Sequence, residues 1–280
     1  SAASDVYKRQ EYIDRYDGFA RFMAERGFVV VGNDHLGHGK SVCSDEDLGF
    51  FKEKKPGEAL AKDAHHLTVL IKKMYPDIPY YLIGHSMGSF VTRKYICDYG
   101  HELDGVIVMG TGHQPTPVVL GGKLLANITK LIKGDRYRSE LISKIMFGAY
   151  NKRIKNIRTA NDWLTRDEAV VDEYNAGKLT TFLFTVNGYR GLMNMILYVR
   201  KPRNIAKIPE NLPMLMVSGL DDPVGEYGKG VYRAYNSYHG HLDDIDLRLF
   251  EDCRHELCNE LNKEDIYEEI YGWITDHMNS

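Results

Sequence analysis

The sequence predicts an α/β fold in which a mostly parallel sheet carries helices on both faces and one helical segment is inserted between two strands. Short apolar runs rich in β-branched residues alternate with stretches that have the period of a helix, which is typical of such a sheet. The alternation stops between residues 113 and 205, where apolar residues keep helical spacing and no strand is evident. A chain of 280 residues can hold one such domain.

Apolar runs between turn residues predict the strands, and longer amphipathic stretches predict the helices. The strands are Phe28–Gly32, Tyr80–Ile83, Gly105–Met109, Met214–Val217 and Asp246–Phe250. The helices of the same region are Arg15–Arg26, Glu58–Met74, Met87–Tyr99, Gly228–Tyr238 and Lys263–Met278. Ligands of open parallel sheets bind at the carboxyl ends of the strands, so functional residues are expected in the loops that follow them.

The stretch Gly84-His85-Ser86-Met87-Gly88 lies between a predicted strand and a predicted helix. A G-x-S-x-G pattern in this setting is typical of a nucleophile elbow, a sharp turn that holds a serine in a strained conformation. Only small residues fit two positions before and two positions after that serine. Ser86 is therefore the candidate nucleophile, and the N–H of Met87 is a candidate donor to an oxyanion. The alternative is an ordinary glycine-rich turn.

A serine needs a base, and in this arrangement the chain order is Ser, then Asp or Glu, then His. Asp221 and Asp222 follow one late strand, and His255 follows the next. We predict that His255 acts as general base and then acid in acyl transfer to Ser86, and that Asp222 orients its imidazole. Sequence spacing alone leaves Asp221 open. Taken singly, an Asp-Asp-Pro is usually a turn and a loop histidine usually lies at the surface.

Five motifs in register carry a resemblance to a known family. They are Arg15-Tyr16 with Phe19-Ala20 and Gly27-Phe28, a D-x-x-G-H-G-x-S loop over 34–41, the elbow over 84–88, Gly219 to Val224, and an R-H-E-x-x-N-E loop over 254–260. From about Glu11 to its end the chain resembles the serine-aminopeptidase-like branch of the α/β-hydrolases, which includes monoacylglycerol lipases and lysophospholipases. In that family the Asp three residues after the Gly is catalytic, which favours Asp222.

The resemblance implies an α/β-hydrolase fold with a helical cap and a serine hydrolase that cleaves carboxylic esters of acyl lipids, of monoacylglycerol or lysophospholipid type. It implies no metal and no organic cofactor. An aminopeptidase or iminopeptidase of the same fold is an alternative. A catalytically impaired fragment that acts only as a binding module is another.

The front of the chain departs from the family pattern. The family has H-G-x-x-E before R-Y, whereas Tyr7-Lys8 stands where His-Gly is expected. We expect residues 1–10 to be a non-native leader joined to a sequence truncated at its N-terminus, with no strand before Phe28. The second oxyanion donor would by register be Arg9, and without its loop the enzyme would be impaired. The hydrolase core is then expected to comprise residues 11–112 and 206–280.

Residues 113–205 are expected to form a cap, or lid, over the active site. The span holds sixteen Lys or Arg and seven Asp or Glu, a net charge of +9 in a chain whose net charge is −3. Such a lid suits an anionic lipid or a transient contact with a membrane surface, although it could also be an ordinary solvated surface. Phe182, Phe184 and Met193 are candidates for the acyl pocket, with plain core packing as the alternative. The stretch Trp163–Glu168 is similar to the family's W-L-S-R-D-E cap segment.

Composition excludes several classes of function. The slightly negative net charge argues against a nucleic-acid binder. No run of about eighteen apolar residues is present, so no spanning helix is expected. Cys43, Cys97, Cys253 and Cys258 lack C-x-x-C spacing and predict reduced thiols in a cytoplasmic protein. Asp34, His35 and His38 could be imagined as zinc ligands, but no further ligand cluster accompanies them, so we predict no metal site.

Overall fold

Six parallel strands form one sheet in the part of the chain that the computed structural model describes, which is residues 3–7, through their backbone, and residues 12–278. The strands are β1 Ala3–Tyr7, β2 Val29–Val31, β3 Tyr80–His85, β4 Gly105–Met109, β5 Met214–Gly219 and β6 Ile245–Phe250. Their order across the sheet is β2-β1-β3-β4-β5-β6. The predicted parallel sheet is thereby confirmed, and all five predicted strands occur within two residues of their expected bounds.

The first strand was not predicted, and the expectation of no strand before Phe28 was wrong. Ala3 pairs with both Val29 and Tyr80, so β1 lies between β2 and β3 in the sheet. Its sequence Ala-Ser-Asp-Val-Tyr lacks the apolar run by which the other strands were recognised. Pairing on both edges supplies the backbone hydrogen bonds that its composition did not suggest. The origin of residues 1–10 as a leader stays a prediction.

Ten α-helices are present in the described residues. They are α1 Asp17–Glu25, α2 Pro56–Met74, α3 Met87–Tyr99, α4 Thr116–Lys133, α5 Glu140–Phe147, α6 Glu168–Ala176, α7 Val186–Val199, α8 Pro202–Ile205, α9 Lys229–His239 and α10 Lys263–Met278. The predicted first helix begins instead as a 3-10 turn, Ile13–Tyr16, before α1. Further 3-10 turns lie at Asp45–Asp47, Gly100–Glu102, Tyr150–Arg153 and Leu257–Asn259.

Alternate residues of each central strand face two separate cores, as the pleat requires. Tyr81 and Ile83 of β3 pack against α1 and α10, in a cluster that includes Phe19 and Ile270. Their neighbours Tyr80 and Leu82 pack on the opposite face, against α2, α3 and α9. Helices therefore cover both faces, and the reactive residues are left at the strand ends.

The helices α4 to α8 lie between β4 and β5 in the chain and form the inserted cap that the sequence predicted. A third apolar cluster joins the cap to the core, with Tyr189 and Leu192 of α7 against Phe90 and Val91 of α3. Helix α3 begins at the nucleophile elbow, so this contact fixes the cap beside the candidate site. In the described part of the chain, no helix combines the length and apolar content needed to cross a membrane.

Candidate active site

The turn at Ser86 has the strained geometry that an elbow requires. Ser86 has φ 56° and ψ −117°, a conformation costly for a residue with a side chain. A Cβ atom on Gly84 would lie 2.2 Å from Oγ1 of Thr92 and 2.4 Å from the backbone oxygen of Gly88. Glycine is therefore required there by close contact, and helix α3 can start directly after Ser86.

The structure brings the three predicted triad residues together. Nε2 of His255 lies 2.8 Å from Oγ of Ser86, and Nδ1 of His255 lies 2.9 Å from Oδ2 of Asp222. Asp222 and His255 are fully buried, and Ser86 is 9% exposed. The other oxygen of Asp222 accepts from the N–H of Val224 at 2.8 Å, which fixes the carboxylate. Asp221 is exposed, so the geometry favours its neighbour.

A second histidine supports the loop that carries His255. Nε2 of His85 donates to the backbone carbonyl of His255 at 2.8 Å. Nδ1 of His85 can then accept from the hydroxyl of Tyr16, at 2.7 Å. The indole of Trp163 lies 5.1 Å from the imidazole of His255, measured between ring centroids. Sequence reasoning gave these supporting residues no role, although His85 and Tyr16 belong to motifs it had identified.

The loop after β6 is fastened to the cap by polar contacts. The N–H of Glu256 donates to the carbonyl of Leu164 at 2.7 Å, and Nη1 of Arg254 donates to that of Thr165 at 2.9 Å. Arg166 pairs with the fully buried carboxylate of Glu260 at 3.0 Å. The resemblance had identified both segments as motifs. Only the tertiary structure shows that the cap stretch 163–168 and the loop 254–260 bind each other. We call these contacts the clamp.

The same loop also takes part in a buried ion pair. Arg15 and Glu256 meet at 2.8 Å, with side chains that are 5% and 0% exposed. Arg15 also lies over the ring of Tyr174 in the cap, 5.3 Å from its centroid. The pair joins the segment before α1 to the residue directly after His255. The loop that carries His255 is therefore held both by this pair and by its hydrogen bonds to the cap.

The predicted oxyanion donor sits at a helix N-terminus. Met87 begins α3, so its N–H is one of the helix's first four, which have no intrahelical acceptor. The positive end of the helix dipole favours negative charge there. The second predicted donor, the N–H of Arg9, lies outside the described residues.

A cavity of about 170 Å³ opens beside Ser86 and is lined mainly by apolar side chains. Core and cap both contribute: the lining residues are Ser86, Met87, Phe90, Gln114, Val118, Val119, Gly122, Ile145, Met146, Phe147, Tyr150, Trp163, Leu192, Met193, Ile196 and Val224. No Asp or Glu occurs in this described lining. The cavity therefore offers an apolar chain a place next to the hydroxyl, and it offers an ammonium group no carboxylate.

Of the three predicted pocket residues, Met193 lies on this cavity and the two phenylalanines do not. Phe184 is 1% exposed and packs edge-on against Phe51 at 5.3 Å, in the core. Phe182 lines a separate, more polar cavity of about 310 Å³. The two phenylalanines differ from the prediction because apolar spacing shows only which face of an element is buried. It does not show whether that face packs against another side chain or lines a cavity.

The loop with Asp34, His35 and His38 is packed rather than open. Asp34 accepts from the N–H groups of Ile13 at 2.9 Å and Lys40 at 2.6 Å. Burial, and secondarily the charge of His38, holds the pKa of His35 well below its ordinary value. Among the described residues, no three His, Cys, Asp or Glu side chains come together as a metal site would require. The loop thus ties the segment before α1 to the core.

Comparison with known proteins finds similar chains among hydrolases. The family model described as serine aminopeptidase, S33, matches residues 8–262. A monoglyceride lipase homolog of monkeypox virus is 25% identical, over 94% of this chain and 85% of that protein. The monoglyceride lipase of Mus musculus is 24% identical, over 95% and 79%. A thermostable carboxyl esterase from Bacillus coagulans, solved with glycerol, is 26% identical with a TM-score of 0.91, over 99% and 89%.

Proposed function

Because a match that spans most of its length shows that the chain belongs to the serine aminopeptidase S33 family, we propose that it is a serine hydrolase of acyl-lipid esters. The substrate class is a monoacylglycerol or a lysophospholipid. The observation that carries the proposal is the hydrogen-bonded series Ser86, His255 and Asp222 beside an apolar cavity. The relatives named as monoglyceride lipases support the same class.

The mechanism follows from those contacts. His255 accepts the proton of Ser86 through Nε2 as Oγ attacks the ester carbonyl, and the imidazolium that forms is stabilised by Asp222. The N–H of Met87 donates to the oxygen that becomes negative. His255 then gives its proton to the departing alcohol, and an acyl-enzyme remains. Water, deprotonated by the same imidazole, attacks that ester and releases the carboxylic acid, and the imidazolium returns the proton to Oγ of Ser86.

The cavity supports an ester lipase over a peptidase. An aminopeptidase must bind a protonated amine, and a buried ammonium requires a carboxylate partner. The described lining has none, whereas Met193, Phe90 and Leu192 offer apolar surface to an acyl chain. Burying an acyl chain contributes roughly 0.8 kcal/mol per methylene, so chain length should govern affinity.

We propose further that the cap contacts an anionic lipid surface. The outer faces of α4 and α5 expose large apolar side chains, among them Leu131 at 85% and Ile132 at 71%. Val118 and Ile145 are also exposed, at 64% and 61%, and they line the cavity. The apolar face is therefore continuous with the cavity. The net charge of +9 between residues 113 and 205 suits anionic head groups.

The membrane contact is tested by sedimentation with vesicles. The variant Leu131→Ser with Ile132→Ser should bind phosphatidylglycerol vesicles less than the unchanged protein does. Its hydrolysis of a short soluble ester should stay within about twofold. Equal binding of both proteins, or dimers in light scattering that the variant loses, would contradict a lipid partner for this face.

The cytoplasm is the proposed location. None of the four cysteines forms a disulfide in the structure, and three of them are buried. Such thiols suit a reducing compartment.

Fluorophosphonate labelling tests the chemistry, because the probe reacts with an activated serine. We expect labelling of Ser86, its loss in Ser86→Ala, and hydrolysis of p-nitrophenyl octanoate but not of a proline naphthylamide. Ser44→Ala, at an exposed serine outside the site, is a control for labelling specificity. Absence of label at Ser86 in the folded protein would favour the binding-module alternative, and amide hydrolysis alone would favour the peptidase.

A further inference from the structure

A buried cation lies behind the nucleophile elbow. Arg93, two turns along α3 from Ser86, is 1% exposed. No carboxylate of the described residues pairs with it. A buried charge without a counter-ion is costly unless every donor finds a strong acceptor. The contacts of its guanidinium therefore merit a functional explanation.

Arg93 donates to three groups that surround the end of β4. Its Nη1 lies 3.1 Å from Oγ1 of Thr111 and 3.0 Å from the carbonyl of Gly112, and its Nε lies 3.0 Å from the hydroxyl of Tyr238. That hydroxyl donates in turn to the carbonyl of Val199 at 3.1 Å, so its oxygen is available as an acceptor. The cation thus faces hydroxyl and carbonyl oxygens only.

The two ends of the series set the direction of its hydrogen bonds, because a carbonyl oxygen can only accept and a guanidinium can only donate. Oγ of Ser89 gives its single proton to the carbonyl of Ser86, at 2.5 Å. The 2.9 Å contact between the hydroxyls of Ser89 and Thr111 then uses the Thr111 proton, while Oγ1 of Thr111 accepts from Arg93. Ser89 and Thr111 are fully buried, so water does not interrupt the series.

The carbonyl of Ser86 and the N–H of Met87 belong to one peptide group. A hydrogen bond to the carbonyl oxygen draws electron density from the amide nitrogen and makes its N–H a stronger donor. We propose that Arg93, Thr111 and Ser89 form a relay of hydrogen bonds that polarises the Ser86–Met87 peptide and strengthens its N–H toward the oxyanion. This inference rests on the proposed function, and no proton is transferred along the relay.

The relay would act mainly in the transition state, when the substrate oxygen becomes negative. Cooperative strengthening of hydrogen bonds amounts to about 10–30% per bond. One oxyanion donor is worth on the order of 10²–10³ in kcat. Together these values give an expected loss of roughly two- to eightfold in kcat when the relay is cut, with KM nearly unchanged. Arg93 is a positioning residue in this sense, because it does not touch the substrate.

A purely structural function of Arg93 makes a different prediction. By bonding to Gly112 and Tyr238 it also anchors the start of the cap to α3 and α9. Loss of that anchor would lower stability or shift the cavity, and would slow all substrates alike. A measurement specific to the oxyanion is therefore needed.

The test compares an ester with its thionoester, in which sulfur replaces the carbonyl oxygen. Sulfur is a weak hydrogen-bond acceptor, so the thionoester gains little from the donor. We expect Thr111→Val to lower the ratio of kcat for p-nitrophenyl octanoate to kcat for its thiono analogue by roughly two- to eightfold, and Thr111→Ser to restore it.

Thr92→Val is the matched control. Thr92 lies on helix α3 with Ser89 and Arg93. It is fully buried, and its hydroxyl has no hydrogen-bond partner among the described residues. The same isosteric change there should leave the ratio unchanged. Ser89→Ala cuts the relay one bond from the elbow and should reproduce the effect of Thr111→Val, which keeps the test decisive if either variant fails to fold.

The outcomes separate the two proposals. Wild-type protein that hydrolyses neither ester refutes the proposed function and this inference with it. Active wild-type protein whose ratio is the same in Thr111→Val, Ser89→Ala and Thr92→Val refutes the relay alone. Arg93→Met should lower the ratio. If adding Thr111→Val to Arg93→Met lowers the ratio no further, the two residues act in one connected relay. Additive losses would overturn the relay.

Discussion

The core half and the cap half of the candidate site are built in different ways. The core half holds Asp222 and His255 fully buried, with each polar atom fixed by a hydrogen bond near 2.9 Å. The cap half exposes apolar side chains such as Leu131 and carries a surplus of cations. Reacting groups must be held within about 0.5 Å of a productive geometry. A surface that is proposed to receive lipid must instead be accessible. Under that proposal, the buried core half carries the chemistry and the exposed cap half captures the substrate.

Where the core half and the cap half meet, the ion pairs are buried, as the polar groups of the core half are. The carboxylate of Glu260 is fully buried against Arg166 of the cap, and Glu256 is fully buried against Arg15. Elsewhere ion pairs such as Arg21 with Asp17 are largely exposed. The cap is therefore firmly attached beside His255, and its exposed outer faces lie on α4 and α5.

The largest expected effect is in the core half. Asp222→Asn should lower kcat for a soluble ester by roughly 10⁴, because the amide favours the wrong tautomer of His255. The adjacent Asp221→Asn changes an exposed side chain and should stay within about twofold. Steady-state kinetics with active-site titration measure both. A large loss in Asp221→Asn with little loss in Asp222→Asn would reverse the assignment of the acid.

The next effect lies at the junction. Arg15→Met removes one partner of a buried ion pair and should lower the free energy of unfolding by about 3–5 kcal/mol. Arg21→Met removes one partner of an exposed pair, 74% and 58% accessible, and should leave the free energy of unfolding nearly unchanged, because solvent screens that pair. Urea unfolding followed by circular dichroism compares them. Similar losses in both variants would mean that burial does not distinguish the two pairs.

Two glycine substitutions compare the tightly packed core half with the exposed cap half. They should change stability in opposite directions. Gly84→Ala forces a Cβ against Thr92 and Gly88 and should lower stability by about 1–3 kcal/mol. Gly121→Ala in α4 meets no atom within 4 Å and should raise stability by about 0.5–1 kcal/mol, since alanine loses less entropy in a helix. Thermal unfolding measures both signs. Destabilisation by Gly121→Ala would show that the cap helix packs more tightly than its exposure indicates.

An effect that depends on pH is expected where the cap leaves the core. Burial, with the charges of Arg200, Arg93 and Arg233, lowers the pKa of His113 to about 4 from its ordinary value of 6.5. Between those values the unfolded chain binds more protons than the folded one, so the free energy of unfolding falls as pH drops from about 6.5 toward 4. Above pH 6.5 the group contributes no pH dependence.

His113→Gln should therefore lose less of its urea midpoint between pH 7 and pH 4.5 than the unchanged protein, and glutamine can still accept from Arg200, which lies 2.8 Å from His113. His101→Gln, at a side chain that is 70% exposed, is the control. An identical change of midpoint in all three proteins would exclude His113 as a source of acid sensitivity.

Local patterns predicted the regular elements well. Strand β4 and helices α3 and α10 have the predicted bounds. Burial and helical period produce patterns of apolar residues among sequence neighbours, so they can be read from the sequence. Strand β1 was missed, since its place in the sheet depends on pairing with two distant strands. The same limit affected Phe184, whose apolar character was clear and whose packing partner Phe51 was not.

The sequence by itself determined the fold class, the helical insertion and the chain order of a serine, an aspartate and a histidine, because these depend on residue type and short-range spacing. Spacing did not distinguish Asp222 from Asp221. The tertiary structure alone decided which side chains meet: the 2.8 Å contact between His255 and Ser86, the clamp around Glu256, and the hydrogen bonds that lead from Arg93 to the elbow. Such contacts join residues up to 241 positions apart. Spacing along a chain does not encode distance across a folded core, which is set by how helices and sheet pack against one another.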